Sequence, residues 1–206
     1  MKKIVAFIML GVMMLSLGGC KNNDFDAKGY VKASLDAKFH RDYKAYAKMT
    51  GVSEKEAKEQ MESEFDESLK TSMSEAGIPI TDAEMEEYLQ LEADIRAKVQ
   101  YEVKTAKKDK DDNYAVQVEI TPIPAYEALE TTFKEKLTTA VQNGATENQY
   151  MASFLESMKE CVANTEAGEP VKVTLSVKWE EKDKQRVYSI DEKEWLDVDL
   201  IATGEK

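Results

Sequence analysis

The sequence predicts an α+β fold in which helices cover one face of an antiparallel sheet of four to five strands. Between residues 26 and 91, apolar side chains recur every three or four positions, which is the period of an amphipathic helix. From residue 94 onward they alternate with polar side chains, which is typical of a strand with one face in water. Both patterns then occur a second time, so helices and strands come in two successive blocks.

The first block begins with three predicted helices. One apolar stripe predicts a helix over 26–49, which Gly51 ends. The stripe consists of Val31, Leu35, Phe39, Tyr43 and Tyr46. Ser53 with Glu56 has the form of a capping box that opens the next helix, and Gly77 and Pro79 follow that helix. A second box at 81–84 opens a shorter helix that is predicted to end near residue 91.

Alternating residues over 94–105 predict the first strand, and those over 114–121 predict its antiparallel partner. Residues 107–113 form the turn between them, and Pro122 and Pro124 end the second strand. The second block repeats this order, with helices over 125–142 and 146–164 that are split at Asn143 and Gly144. Strands are predicted over 171–179, 186–190 and finally 195–202.

The two blocks align at a constant offset, with Ser53 falling on Thr146 and Met61 on Phe154. We therefore predict two tandem helix-helix-hairpin units, 26–122 and 123–206, that share one core. The alternative is that any two capped amphipathic helices align this well by chance.

The N-terminus has the pattern of an export signal over residues 1–19. Two lysines precede an apolar run over 4–17, which at about 1.5 Å per residue is too short to span a hydrocarbon core of about 30 Å. Leu17, Gly18, Gly19 and Cys20 match a bacterial lipobox, in which Cys20 is lipidated, for example by palmitate, and becomes the new N-terminus. The alternative is an ordinary signal peptide. Residues 20–25 then form the lipidated cysteine and a short tether, on the outer face of the membrane.

The charge balance excludes some partners. The chain carries 40 acidic and 28 basic residues, a formal net charge of −12. So acidic a surface repels phosphate backbones and anionic headgroups, which argues against nucleic-acid binding and makes the lipid on Cys20 the expected contact with the membrane. Once Cys20 is lipidated, Cys161 has no disulfide partner, and its place in an apolar helical stripe predicts burial.

A helix containing Tyr30 and Tyr46 is followed by Gly-Val-Ser-Glu-Lys-Glu-Ala at residues 51–57. With the lipobox-like start, this combination resembles a family of uncharacterised lipoproteins of Gram-positive bacteria with a cystatin- or NTF2-like α+β domain. The resemblance covers most of the chain after Cys20 and implies its fold and location. It brings no catalytic or ligand residue with it, so the function stays open.

Residues with catalytic or metal-binding chemistry are few. His40 is the one histidine and has no nucleophile motif beside it, so an ordinary position at the edge of a helix is expected. Residues 109–113 begin like a calcium loop, but Tyr114 replaces the turn glycine and Ile120 the bidentate glutamate, which favours a plain hairpin tip. We therefore predict no catalytic residue, no metal site and no cofactor.

Aromatic residues on the predicted sheet are the candidates for ligand binding. A helix-covered sheet can leave an apolar cavity, and its lining would be Tyr101, Trp179, Tyr188 and Trp195. The alternative for all four is close core packing.

Three functions remain in order of preference. The first is a lipid-anchored, non-enzymatic binding or interaction module with an unidentified protein or small-molecule partner. The second is a small-ligand binder with a pocket between sheet and helices. The third is an acid/base enzyme, which no nucleophile or base in a specific setting supports.

Overall fold

The computed structural model describes residues 25–75, 80–142, 144, 147–182 and 185–204. Within these ranges, seven helices and four strands follow one another. They are α1 (Ala27–His40), α2 (Lys44–Thr50), α3 (Glu54–Glu75), α4 (Asp82–Ala97), β1 (Gln100–Lys108), β2 (Tyr114–Thr121), α5 (Ala125–Gln142), α6 (Glu147–Asn164), β3 (Val171–Lys182), β4 (Gln185–Ile190) and α7 (Glu192–Thr203). The α+β class predicted from the two periods is confirmed.

The predicted first helix is in fact two helices, α1 and α2. Arg41 takes the left-handed conformation with φ 54°, and its N–H donates to the carbonyl of Asp36, which closes α1 at His40. Gly51, with φ 76°, ends α2 as predicted. The single-helix prediction was wrong because the apolar stripe continues through the break. The last two residues of the stripe, Tyr43 and Tyr46, pack with Ala57 of α3 in a second, smaller core.

Both predicted capping boxes are present. The Ser53 hydroxyl accepts from the Glu56 N–H at 3.2 Å, and the Glu56 carboxylate accepts from the Ser53 N–H at 2.9 Å. The second box opens α4 in the same way. However, α4 continues to Ala97, so the start of the predicted first strand is helical and β1 begins at Gln100. Ile95 is buried in α4, and its spacing fits a helix and a strand equally well.

The four strands form one antiparallel sheet in the order β1-β2-β3-β4. Residues 109–113 turn the first hairpin, and the Asp109 carboxylate accepts from the N–H groups of Asp111 and Asn113 at 2.8 and 2.9 Å. One face of β2 is buried as predicted, through Tyr114, Val116, Val118 and Ile120. The opposite face carries exposed polar residues such as Gln117 and Lys172, so the sheet has the one wet face that the alternation predicts.

The predicted last strand, 195–202, is a helix. Its buried residues lie at helical spacing and are Trp195, Val198, Asp199, Ala202 and Thr203. Asp191 caps its N-terminus, and Gly204 ends it with φ 73°. The strand prediction was wrong because Leu196, Val198 and Leu200 also alternate. Within the described ranges the sheet therefore has four strands.

Helices cover the buried face of the sheet. α1 and α7 contact the strands, and α4 packs against α1, α6 and α7. α5 packs against α6, while α2 packs against both α1 and α3. The candidate functional site lies where α1, α4 and α7 meet.

Some sequence predictions fall outside the described residues. These are the signal over 1–19, the lipidated Cys20 and the breaks at Gly77, Pro79 and Asn143. The division into two tandem units, 26–122 and 123–206, stays a prediction. No helix among the described residues combines the length and the apolar character that crossing a membrane requires.

Candidate functional site

Four ionisable side chains from three helices meet in the interior of the protein. Lys38 comes from α1, Glu92 and Arg96 from α4, and Asp199 from α7. Glu92 and Asp199 are each 1% exposed and Arg96 is 7% exposed, while the Lys38 side chain is 7% exposed. Charged side chains are almost never so deeply buried unless they are paired. We call these four residues the charge cluster.

The charge cluster is held together by direct contacts. Arg96 donates through Nη1 to Asp199 Oδ1, and Lys38 Nζ lies 3.5 Å from the same oxygen. On the other side of Arg96, Nη2 lies 3.7 Å from Glu92 Oε2. The Tyr126 hydroxyl of α5 donates to Glu92 Oε1. One carboxylate therefore pairs with two cations, and the other is held by a cation and a phenol.

The pKa directions follow from burial and pairing. Burial raises the pKa of Glu92 above its ordinary value, and the neighbouring Arg96 only partly opposes this. Burial also acts to raise the pKa of Asp199, but Arg96 and Lys38 outweigh it, so that this pKa is lowered. Burial lowers the pKa of Lys38 to about 8, against the opposing effect of Asp199.

A cleft of about 80 Å³ lies beside the charge cluster. Its walls include Lys38, Arg41, Tyr43, Glu62, Arg96 and Trp195. Lys38 Nζ lies 5.0 Å from the centre of the Trp195 ring, within cation–π range. Across the cleft, the Tyr43 hydroxyl donates to Glu62 at 3.3 Å, and Arg41 lies 4.0 Å from the same carboxylate. The lining holds three basic side chains and one acidic side chain, and the buried carboxylates of Asp199 and Glu92 beside it pair with Lys38 and Arg96, so positive and negative charges balance at this site.

Two larger surface depressions lie elsewhere. One, of about 530 Å³, runs along α5 and α6 beside Cys161. The other, of about 440 Å³, lies on the wet face of the sheet and is lined by residues such as Lys104, Glu119 and Lys172. Neither includes a member of the charge cluster, so the smaller cleft is the better candidate site.

The four aromatic residues predicted to line one pocket lie in separate places. Trp195 borders the cleft. The Tyr101 hydroxyl donates to Asp36 at 2.6 Å, on the α1 side of β1. Trp179 and Tyr188 face each other across β3 and β4, where Tyr188 stacks on Phe25. The structure thus brings together only the last pair, and the cleft itself lies between helices.

His40 and Cys161 occupy the positions that their helices predict. His40 is exposed at the end of α1, where Nε2 donates to the carbonyl of Val99 at 2.9 Å. Cys161 is a buried free cysteine, and burial raises the pKa of its thiol. Cys20, Leu17, Gly18 and Gly19 lie outside the described residues. Among the described residues, no group of His, Cys, Asp and Glu is arranged to hold a metal ion.

The sequence held a signal for the charge cluster that the prediction missed. Lys38 lies seven residues after Val31 and three after Leu35, on the same helical face. Glu92 and Arg96 are four apart on α4, and Asp199 is four residues after Trp195 on α7. A charged side chain at a position that helical spacing turns inward is the pattern that finds such a cluster.

Comparison with known proteins identifies a family but no activity. A family described as a domain of unknown function (DUF5105) matches residues 21–200. A crystal structure of a candidate lipoprotein of Bacillus subtilis, YcdA, is similar at a TM-score of 0.58 and 17% identity, over 86% of this chain. The chain spans 56% of that protein, and at this identity the likeness shows the fold alone. It does not confirm a cystatin- or NTF2-like fold. None of the curated proteins matches the chain.

Proposed function

The chain belongs to the family that shares DUF5105, a domain of unknown function, and on that premise we propose that it is a lipid-anchored lipoprotein on the outer face of the membrane. Its role is that of a non-enzymatic binding module. Lipid on Cys20 is its membrane contact, and its partner is a protein or a small molecule. Neither nucleic acid nor a cofactor enters the proposal.

One observation supports the anchor more than any other: the lipobox-like Leu17-Gly18-Gly19-Cys20 directly after a charged and apolar leader. Cleavage before Cys20 removes Lys2 and Lys3 and takes the formal charge from −12 to −14. A surface so acidic makes electrostatic adhesion to anionic lipid unfavourable. Several acyl chains hold a protein firmly, whereas one chain gives only marginal attachment.

The charge cluster supports a binding role over an acid/base enzyme. Asp199 is already shared between Arg96 and Lys38, and Glu92 between Arg96 and Tyr126. The four ionisable groups therefore contact one another, and these contacts connect α1, α4 and α7. The cleft beside them offers a preformed surface with charge and an aromatic wall.

The anchor is tested by metabolic labelling with a clickable fatty acid in a bacterial host. We expect wild type to be labelled and to sediment with membranes, and Cys20→Ala to lose both properties. Cys161→Ala is the matched control, because it removes the other cysteine and should keep label and location. Equal labelling of wild type and Cys20→Ala would show that the chain is not a lipoprotein.

The second candidate, a small-ligand binder, is favoured by the cleft beside the charge cluster, where Lys38 lies over the Trp195 ring. The expected ligand is a small carboxylate: the cleft volume of about 80 Å³ limits its size, and the basic side chains of the lining are the contacts for its charge. In a Trp179→Phe protein, Trp195 is the only tryptophan left, so titration with acetate or benzoate should change its fluorescence. Lys38→Met should remove the response, whereas Lys172→Met, on the exposed sheet face, should keep it. A flat titration for both anions would exclude this ligand class.

A further inference from the structure

Phe25 is fixed at one end of the sheet. Its ring stacks on Tyr188, with centroids 3.7 Å apart and planes 1° from parallel. The rings of Tyr30 and Tyr114 lie 5.5 and 5.9 Å away. Tyr188 on β4 pairs with Trp179 on β3. This pair lies nearer to the hairpin turns than the pair of Tyr114 with Val177, which is the last one between β2 and β3. The chain therefore enters the domain at the end of the sheet where both hairpins turn.

The turn of the β1–β2 hairpin is docked onto Trp179 at this end. The Trp179 indole N–H donates to the carbonyl of Asp111 at 2.8 Å. The Arg186 guanidinium lies 4.2 Å from the centre of the same ring and donates to Asp112 at 2.9 Å. We call Lys108 to Asn113, Trp179 and Arg186 the turn platform. These contacts between the turn, Trp179 and Arg186 give the turn platform a defined shape. The Arg186 side chain is 47% exposed.

Chain length places the turn platform close to Cys20. The five residues from Lys21 to Phe25 reach at most about 17 Å. The opposite end of the sheet lies beyond the reach of this tether. Val171 is eight residues along β3 from Trp179, which corresponds to about 26 Å at ~3.3 Å per residue. An anchor at Cys20 thus brings one end of the domain to the bilayer.

Charge favours the same end. Residues 107–113 contain three lysines and three aspartates, and residues 178–182 together with Arg186 contain three basic and two acidic side chains. The turn end is therefore close to neutral, and the acidic excess of the chain lies on the rest of the domain. Anionic headgroups repel that remainder over a Debye length of about 8 Å at physiological salt.

We propose that the turn platform faces the membrane and contacts phospholipid headgroups, with the rest of the domain pointing away. This orientation rests on the proposed lipid anchor. Trp179 and Arg186 have the amphipathic character that suits the interface, since tryptophan is enriched at headgroup level and arginine keeps its charge in water while its stem covers apolar surface. The candidate cleft, at the far end of α1 from Phe25, then stays open to the outside.

The test measures the distance of two sites from the bilayer. The full chain, lipidated on Cys20 and carrying Cys161→Ser, receives a single new cysteine for a donor dye. Lys110→Cys labels the turn platform, and Glu169→Cys, exposed just before β3, is the matched control at the opposite end. Each protein is reconstituted into vesicles of phosphatidylcholine and phosphatidylglycerol that contain a headgroup-labelled acceptor lipid.

We expect a several-fold greater loss of donor fluorescence at position 110 than at position 169, and a smaller difference after a long Gly-Ser insertion behind Lys21. Equal losses, or a greater loss at 169, in a protein that floats with the vesicles would overturn the orientation and leave the anchor intact. A protein that carries no acyl chain and stays off the vesicles would refute the anchor, and the orientation with it.

Discussion

Asp199→Asn is the most direct test of the charge cluster. Asparagine keeps the shape of the side chain but removes the charge that pairs with both Arg96 and Lys38. Asp199 is 1% exposed, so water cannot replace the lost partner. Removing one partner of a buried ion pair costs about 3–5 kcal/mol, because it leaves an uncompensated charge in the interior. We expect the free energy of unfolding to fall by that amount at neutral pH.

Urea denaturation followed by circular dichroism measures this change. With a slope of about 1–3 kcal/mol per molar urea, the midpoint should fall by about 1 M or more. Asp197→Asn is the control, because it makes the same change at an exposed position of the same helix and should stay within about 0.5 kcal/mol of wild type. Similar midpoints for the two variants would show that the pairing of Asp199 does not stabilise the fold.

The pH dependence gives a second check with a definite sign. The pKa of Asp199 is lowered in the folded protein, because Arg96 and Lys38 outweigh burial. The stability that ionised Asp199 provides is therefore complete above its unfolded pKa of about 3.9 and is lost as the pH falls through the lower, folded pKa. The difference between wild type and Asp199→Asn should be constant from neutral pH to about pH 5 and shrink below about pH 4. A difference that persists unchanged in acid would refute the pairing.

Three further outcomes are expected. The pKa of Lys38 is lowered to about 8, chiefly by burial, so between pH 8 and its ordinary value of 10.5 the unfolded state binds more protons. The stability of wild type relative to Lys38→Met should therefore rise with pH across that window in thermal melts, and a flat difference would contradict this. Val116→Asp places a charge in a fully buried site of β2 and should lower the free energy of unfolding by more than about 3 kcal/mol. Ala115→Asp, on the wet face, should leave that free energy nearly unchanged. Equal urea midpoints for the two variants would mean that the face assignment is wrong. Cys161, 3% exposed and with a raised pKa, should react with a thiol reagent only after denaturant is added, and fast reaction in the native protein would contradict its burial.

The sequence predicted well wherever one period was unambiguous. β2 alternates in one sense over its whole length, and its buried face is the predicted one. The capping boxes at Ser53 and Thr81 are local, since each depends on residues three apart. They can therefore be predicted from the sequence without knowledge of distant contacts. By contrast, the break at Arg41 depends on a left-handed residue that no apolar pattern reveals.

The aromatic residues of the predicted pocket lie apart for a different reason. Alternation assigns Trp179, Tyr188 and Tyr101 to a face of the sheet, but it does not say which helix covers each of them. Tyr188 is covered by Phe25 and Tyr101 by the C-terminal part of α1. Such partners are distant in sequence, and their choice depends on how the helices cross the sheet.

The missed charge cluster and the wrong last strand have a common cause. A strand over 195–202 would turn Val198 inward and Asp199 outward. The sequence interpretation therefore treats Asp199 as one more solvated residue among 40 acidic residues. A helix turns Trp195, Val198 and Asp199 to the same side. Asp199 then lies inside the protein and requires a cation, and Lys38 and Arg96 are the basic residues that α1 and α4 bury beside it. The period of one short segment therefore decides whether the candidate site can be found from the sequence at all.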